Sequence, residues 1–313
     1  MTIISIFDIG LVVLILAVGA ATIAMREAFS AVIGYVVYGL LLAIAWVRLS
    51  AVDVALTEAA IGGGMTGMLL LGAVARLRLA KGTDSKTSLS VRLAAGILCA
   101  LVAAGLAIAV LSPPEVVPTL APLAMENLPQ SGLGNPVAGV LFVYRALDTM
   151  LEKVVLILAL LGVWSLAPDR MWGGIPGLRI YAQPGGTLTF LAQLLPPVGI
   201  VVAVYMCWVG AKDPGGAFQG GTVLAAMWLL VMIAGLTGVP SISQRWLRIL
   251  LVVGPMIFLA IGIAGMVLAN AFLAYPAGYA KPLIVAVEFA LTLSIGVALA
   301  LLAAGPPERV QQP

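Results

Sequence analysis

Long apolar runs separated by short polar joints set the pattern of this chain. Nine such runs lie near residues 6–25, 28–47, 52–75, 93–111, 149–167, 189–210, 217–237, 247–269 and 282–304. Most approach the roughly 20 apolar residues that a helix needs to cross a bilayer. In hydrocarbon every backbone polar group must be satisfied internally, and runs of this length achieve that as helices. The pattern predicts an all-α fold: a polytopic integral membrane protein with about nine transmembrane helices. The first run does not read as a signal peptide, because no basic segment precedes it and Asp8 sits near its start.

Composition agrees. Of 313 residues 62% are hydrophobic and 9% charged, against roughly 25% charged in a soluble domain, and mean hydropathy is +1.16. Nothing suggests a nucleic-acid partner. Cys99 and Cys207 both lie in apolar runs and read as small packing residues rather than a disulfide or metal pair. Histidine is absent, which removes the commonest proton carrier near neutral pH. Carboxylates, lysines, tyrosines and water must carry any proton relay.

Basic residues orient the spans. The joint after the third run holds Arg76, Arg78, Lys81, Lys86 and Arg92 against Asp84, which predicts a cytoplasmic loop. Alternation then puts Arg26, Arg170, Arg179, Arg245, Arg248 and Arg309 inside, and Arg48, Lys212 and Lys281 outside. The split is eleven to three. One missed span would invert everything after it, so the split tests the count. The N-terminus is expected outside and the C-terminus in the cytoplasm. Segment 112–135, with Pro113, Pro114, Pro118, Pro122 and Pro129, should be irregular, as should the Gly/Pro-rich segment 168–187. No internal repeat stands out, against a transporter built from inverted halves.

Polar residues inside the runs mark candidate chemistry. A carboxylate within a span costs roughly 2.5–3.5 kcal/mol on insertion scales, so Glu58, Glu152 and Glu288 need a reason. Around Glu58 lie Asp53, Thr57 and Gly62-Gly63-Gly64. Carboxylate, hydroxyl and loosened backbone suit a hard cation or a water chain; the alternative is a tight helix crossing with a bonded glutamate. Arg145, Asp148 and Glu152 fall on one helix face at i, i+3 and i+7, beside Thr149 and Lys153. Asn135 and Pro136 can begin a short interfacial helix that runs into this span. The set is either an ion path or an interfacial anchor, and Lys153 can neutralise the acids permanently. Pro214, Gly215, Gly216, Phe218, Gln219, Gly220 and Gly221 join two runs at the outer surface. They read as a subunit contact or helix break rather than a phosphate loop, since no strand precedes and no GK[ST] follows. Glu288 stands six residues after Pro282 and needs a partner. Pro196, Pro197 and Pro255 mark kinks.

These residues carry a resemblance. The run 51–64, AVDVALTEAAIGGG, resembles the MbhD-like domain of membrane-bound hydrogenases and of the C-terminal part of the large subunit of Mrp-type sodium/proton antiporters. The stretch 134–152 resembles the adjoining MbhE-like domain, whose R-G-F-D-T-x-G-E motif reads RALDTMLE here. Both glycines are replaced, while Arg145, Asp148, Thr149 and Glu152 remain. The stretch 194–237 resembles the MrpB (MnhB) subunit, its P-G-G-G-F-Q-G-G signature appearing as PGGAFQGG, with Ala211 where a histidine is usual.

The resemblance implies three units: 1–112 MbhD-like with four spans, 113–187 MbhE-like with an interfacial helix and one span, and 188–313 MrpB-like with four spans. It implies a subunit of a cation/proton-translocating complex related to complex I, inactive by itself. Its partners would be an antiporter-like large subunit and small Mrp-type subunits in the cell membrane. Asp53, Thr57, Glu58, Arg145, Asp148, Thr149, Glu152 and Glu288 would line the ion path, with a sodium site near Asp148, Thr149 and Glu58. The chain holds no lysine- and glutamate-bearing antiporter-like unit of its own, and no cysteine cluster, dinucleotide fingerprint or nucleotide loop. Neither enzyme activity nor a cofactor is expected. The alternative is a non-conducting membrane scaffold.

Overall fold

A computed structural model describes residues 5–79, 88–112, 119–178, 180–181 and 185–309. Lys81, Asp84, Lys86, Pro113, Pro114, Pro118 and Arg179, used above for orientation and loop character, lie outside them. Each of the nine apolar runs coincides with a helix. In the N-terminal part these are α1 (Ile6–Ala24), α2 (Ala28–Arg48), α3 (Val52–Thr57) continuing through a π-helical segment, Glu58–Met65, into α4 (Thr66–Leu79), and α5 (Leu89–Leu111). The middle part holds α6 (Ala121–Asn127), the short α7 (Pro136–Gly139), a second π-helical turn at Val140–Tyr144, and α8 (Ala146–Trp164). The C-terminal part is α9 (Thr187–Val209), α10 (Ala217–Ile233), α11 (Arg245–Leu268) and α12 (Ala280–Ala304). Among the described residues, seven helices are long and apolar enough to cross a membrane, and α10 is a shorter apolar helix. The 19 residues of α8 carry Asp148, Glu152 and Lys153.

The C-terminal helices form the core. α12 packs against α9, α10 and α11, and α8 lies against α11 and α12. Phe258, Met232, Ile284, Val287, Leu291 and Ile295 are all but inaccessible here. Small residues let the backbones close up: a Cβ on Gly220 would meet the Ala203 carbonyl at 2.8 Å, and one on Gly254 the Ala290 carbonyl at 2.9 Å. Pro255 interrupts the hydrogen-bond ladder of α11. Ser294 of α12 repairs it, accepting from the Gly254 N–H at 2.9 Å and donating to the Leu250 carbonyl at 2.8 Å. Re-satisfying freed backbone groups from a neighbouring helix is what makes proline tolerable in hydrocarbon.

In the N-terminal part α2 packs against α1, α3, the first π segment and α4. Ser5 caps α1 in a capping box with Asp8. Asp8, in the first turn of α1, meets Arg48, in the last turn of α2, at 2.7 Å, each charge at the helix end whose dipole favours it.

Connections that alternation puts on one side of the membrane touch one another. On one side Gly134 N–H donates to the Ala211 carbonyl at 2.9 Å. On the other, β1 (Ile175–Pro176) pairs antiparallel with β2 (Pro307–Arg309), and Ile242 N–H donates to the Gly174 carbonyl at 3.0 Å.

Candidate functional site: a cavity where the three parts meet

The site is built outward from Asp53, in the first turn of α3. Its Oδ1 accepts from the Gly215 N–H at 2.9 Å, and its Oδ2 is 3.5 Å from the Asn135 amide nitrogen. Asn135 also caps α7 through Val137 N–H and donates to the carbonyls of Gly210 and Asp213, both at 3.1 Å. Gln219, in the first turn of α10, donates to Thr57 Oγ1 at 3.2 Å. Asp53 and Asn135 thus tie the α3 entrance, the α7 entrance and the Pro-Gly-Gly loop together. Gly216 has φ of +119°, a conformation that only glycine takes without strain, and a Cβ there would lie 3.1 Å from Glu288 Oε1.

Behind this clasp lies a cavity of about 320 Å³. Asp53, Thr57 and Ile61 line it from the N-terminal part, Asn135, Phe142, Thr149, Glu152 and Lys153 from the middle, and Gly215–Gln219, Glu288 and Leu291 from the C-terminal part. Three carboxylates and one ammonium therefore line the same cavity. Lys153 Nζ lies 3.2 Å from Glu152 Oε1 and 3.7 Å above the centre of the Phe218 ring. Glu288 is 2% exposed, and its Oε2 is buried without a hydrogen-bond partner among the described residues. Tyr275, in the connection between α11 and α12, also has a buried hydroxyl with no hydrogen-bond partner among the described residues. Burial, and then the charge of Glu288, push its phenol above the ordinary range.

The other sequence-predicted residues are placed differently. Glu58 does not line the cavity. Its carboxylate folds back within the π segment, where a Cβ on Gly62 would fall on it, and it faces Gly39 of α2. Gly62 makes room for this carboxylate, and a Cβ on Gly39 would come within 3.1 Å of the Gly63 backbone, so α2 and the π segment cross closely. Among the described residues Glu58 has no hydrogen-bond or ion-pair partner. Arg145 and Asp148 form an exposed ion pair at 2.5 Å, beside Phe272 and Leu273 and off the cavity. Thr149 is buried and donates to the Leu141 carbonyl at 2.6 Å, closing the gap left where the second π turn ends at Arg145. Of the 214–221 loop, Gly215, Gly216, Phe218 and Gln219 face the cavity, while Gly220 and Gly221 sit at helix crossings.

Asn135 stands outside the predicted site residues. Lys153, read from the sequence as able to neutralise the acids, is placed beside Glu152, on the buried face of α8 that it shares with Thr149, Leu160 and Trp164. Asn135 shows only its capping role in the sequence; its tie to Asp53 spans 82 residues.

An all-helical membrane protein with a carboxylate-lined cavity at the meeting of three parts is the class this geometry defines. Residues 13–79 match the MbhD family, a component of MBH, and residues 187–305 match the family described as "Domain related to MnhB subunit of Na+/H+ antiporter". Two separate segments of the chain are thus similar to these two families, in that order along the sequence. An uncharacterized protein of Methanocaldococcus jannaschii is 26% identical over 154 residues, covering 44% of this chain and 59% of its own length. A chain of the Mrp complex from Dietzia sp. DQ12-45-1b superposes on all of this chain with a TM-score of 0.76 at 24% identity, and this chain spans 36% of it. A chain of the membrane-bound sulfane sulfur reductase, an archaeal respiratory membrane complex, matches 68% of this chain and 96% of its own length, with a TM-score of 0.53 at 22% identity. These two likenesses show a shared fold.

Proposed function

We propose that this chain is a membrane subunit of a multisubunit cation/proton-translocating complex of the Mrp antiporter or membrane-bound hydrogenase type, and that its cavity is part of the ion path. The observation that carries this reading is the convergence of Asp53, Glu152 and Glu288, from three parts of the chain, on one cavity with Lys153. Intramembrane carboxylates that face a cavity rather than lipid are the usual furniture of proton and cation paths. Thr57, Thr149 and Gln219 add neutral oxygens, the donor type a hard cation prefers. Glu58, set against α2 one residue from Thr57, is a further station beside the cavity. The middle part acts as the MbhE-like unit. The chain works as a transport subunit beside an antiporter-like large subunit and small Mrp-type subunits, with its N-terminus outside and its C-terminus in the cytoplasm.

A non-conducting scaffold is the second reading. It is favoured by the hydrogen bonds around Asp53 and by the self-neutralised Arg145–Asp148 pair. Sodium-driven proton flux by the intact complex in proteoliposomes separates the two. On the transport reading Glu288→Gln and Glu152→Gln lower the flux at least tenfold, a change of about 1.4 kcal/mol in the barrier, while the complex still assembles. Normal flux in both assembled variants leaves the scaffold as the better account.

A further inference from the structure

The charges lining the cavity do not balance one another. Asp53 is compensated by the Gly215 N–H and the Asn135 amide. Glu152 has Lys153. Glu288 has neither, although it is 2% exposed and its Oε2 is buried. A buried ammonium and a buried, unpartnered carboxylate therefore line one cavity without meeting. The ammonium is held elsewhere: it lies 3.2 Å from Glu152 Oε1 and face-on to the Phe218 ring at 3.7 Å. Leu156, Leu251 and Pro255 enclose the other side of Lys153.

We propose that Lys153 is a tethered competitor for the transported ion: a small monovalent cation binds in the cavity at the Glu288 carboxylate, and the ammonium held by Glu152 and Phe218 sets how tightly it binds. This deepens the ion-path reading and rests on it. A cation that reaches Glu288 shares the cavity with Lys153, and like charges repel, so the resident ammonium weakens its binding. No cluster of three or more Asp, Glu, Cys or His positioned to hold a metal ion occurs among the described residues. That suits a weakly held monovalent ion at one carboxylate with neutral oxygens rather than a tight divalent site. The ionisable groups around this arrangement are Glu152 on α8, Asp53 on α3, Glu288 on α12, Cys207 on α9 and Tyr275 in the α11–α12 connection.

The test uses the intact complex in proteoliposomes, with sodium as the probe and proton flux as the readout. Lys153→Gln is expected to lower the half-saturating sodium concentration about tenfold, the scale of one like charge removed from a partly buried site. Lys153→Arg, which keeps the charge, should stay near wild type. Phe218→Leu, which frees the ammonium without removing it, should shift half-saturation by a smaller factor and keeps the test open if Lys153→Gln fails to assemble. An unchanged sodium half-saturation in an assembled Lys153→Gln or Phe218→Leu complex, with flux retained, overturns this inference alone. Absence of flux from the wild-type complex overturns both this inference and the ion-path reading.

Discussion

Two apolar helices of similar length, α5 of the N-terminal part and α12 of the C-terminal bundle, are used in opposite ways. Across the apolar stretch of α12 72% of the residues are buried; across that of α5 none is, and across that of α1 6%. Hydropathy decides only that a segment belongs in the bilayer, because lipid tails are as apolar as leucine and give no hydrophobic drive between helices. What distinguishes the surroundings of α12 from those of α5 is where the small residues fall. Gly220, Gly221, Gly254 and Gly265 each lie against a neighbouring element, whereas Gly96 and Gly105 of α5 have nothing within 4 Å of where a Cβ would stand. The bundle closes around α12. The outer helices α1 and α5 are left open to lipid or to another chain, and the N-terminal part meets the bundle through α3 and the π segment, which lie against α10.

The largest expected effect is Gly221→Val in the bundle. A Cβ there would already stand 2.7 Å from the Ile295 side chain and 3.1 Å from the Thr292 carbonyl. Overpacking a crossing closed by both a side chain and a backbone carbonyl falls at the upper end of the usual range or beyond it, about 3 kcal/mol or more. Thermal unfolding of the detergent-solubilised protein, followed by size-exclusion, should show a clear drop in midpoint, and an unchanged midpoint would mean the α10–α12 crossing is not the close contact described. Asp53→Ala tests the tie between the regions. It removes the charged acceptor of the Gly215 N–H, a type of bond worth roughly 1.5–3 kcal/mol. Backbone hydrogen exchange at Gly215 and Gly216 should speed up while exchange in α12 stays slow. Equal acceleration of both would show that Asp53 supports the bundle itself rather than its junction with α3. The smallest effect belongs to Gly105→Val on α5, where the added side chain enters open space. Its unfolding midpoint should match wild type, within about 0.5 kcal/mol. A large loss of stability in the solubilised chain would mean that α5 is packed after all.

Much of this was legible in the sequence, and for a definite reason. The need to satisfy backbone polar groups in hydrocarbon acts on each segment separately, so run length and hydropathy fix where the helices lie without any knowledge of neighbours. Alternation of those helices carries over to which connections meet, as Gly134 with Ala211 and Ile175 with Arg309 do. Local signals also read correctly at short range: Ser5 with Asp8, and Asn135 before Pro136, are caps in sequence and structure alike.

The tertiary structure decided which polar residues share a space. Asp148 and Glu152 are one turn apart and equivalent on any helical projection, yet one lies at an exposed ion pair with Arg145 and the other faces the cavity beside Lys153. Both side chains are about half exposed, and what separates them is the company each keeps: Glu152 stands beside Lys153 on the side of α8 that meets α12, and Asp148 beside Arg145. Glu58 points back along its own segment because the π-helical turn and Gly62 give its carboxylate somewhere to go, a backbone choice that no hydrophobic period encodes. Glu288 shares a cavity with Asp53 and Lys153 across 235 and 135 positions of chain, which follow from 288 − 53 and 288 − 153. Helical periodicity reaches only a few turns along one segment. Which segments stand side by side is set by the fit of small residues at crossings, and that fit, not any motif, assembled the cavity.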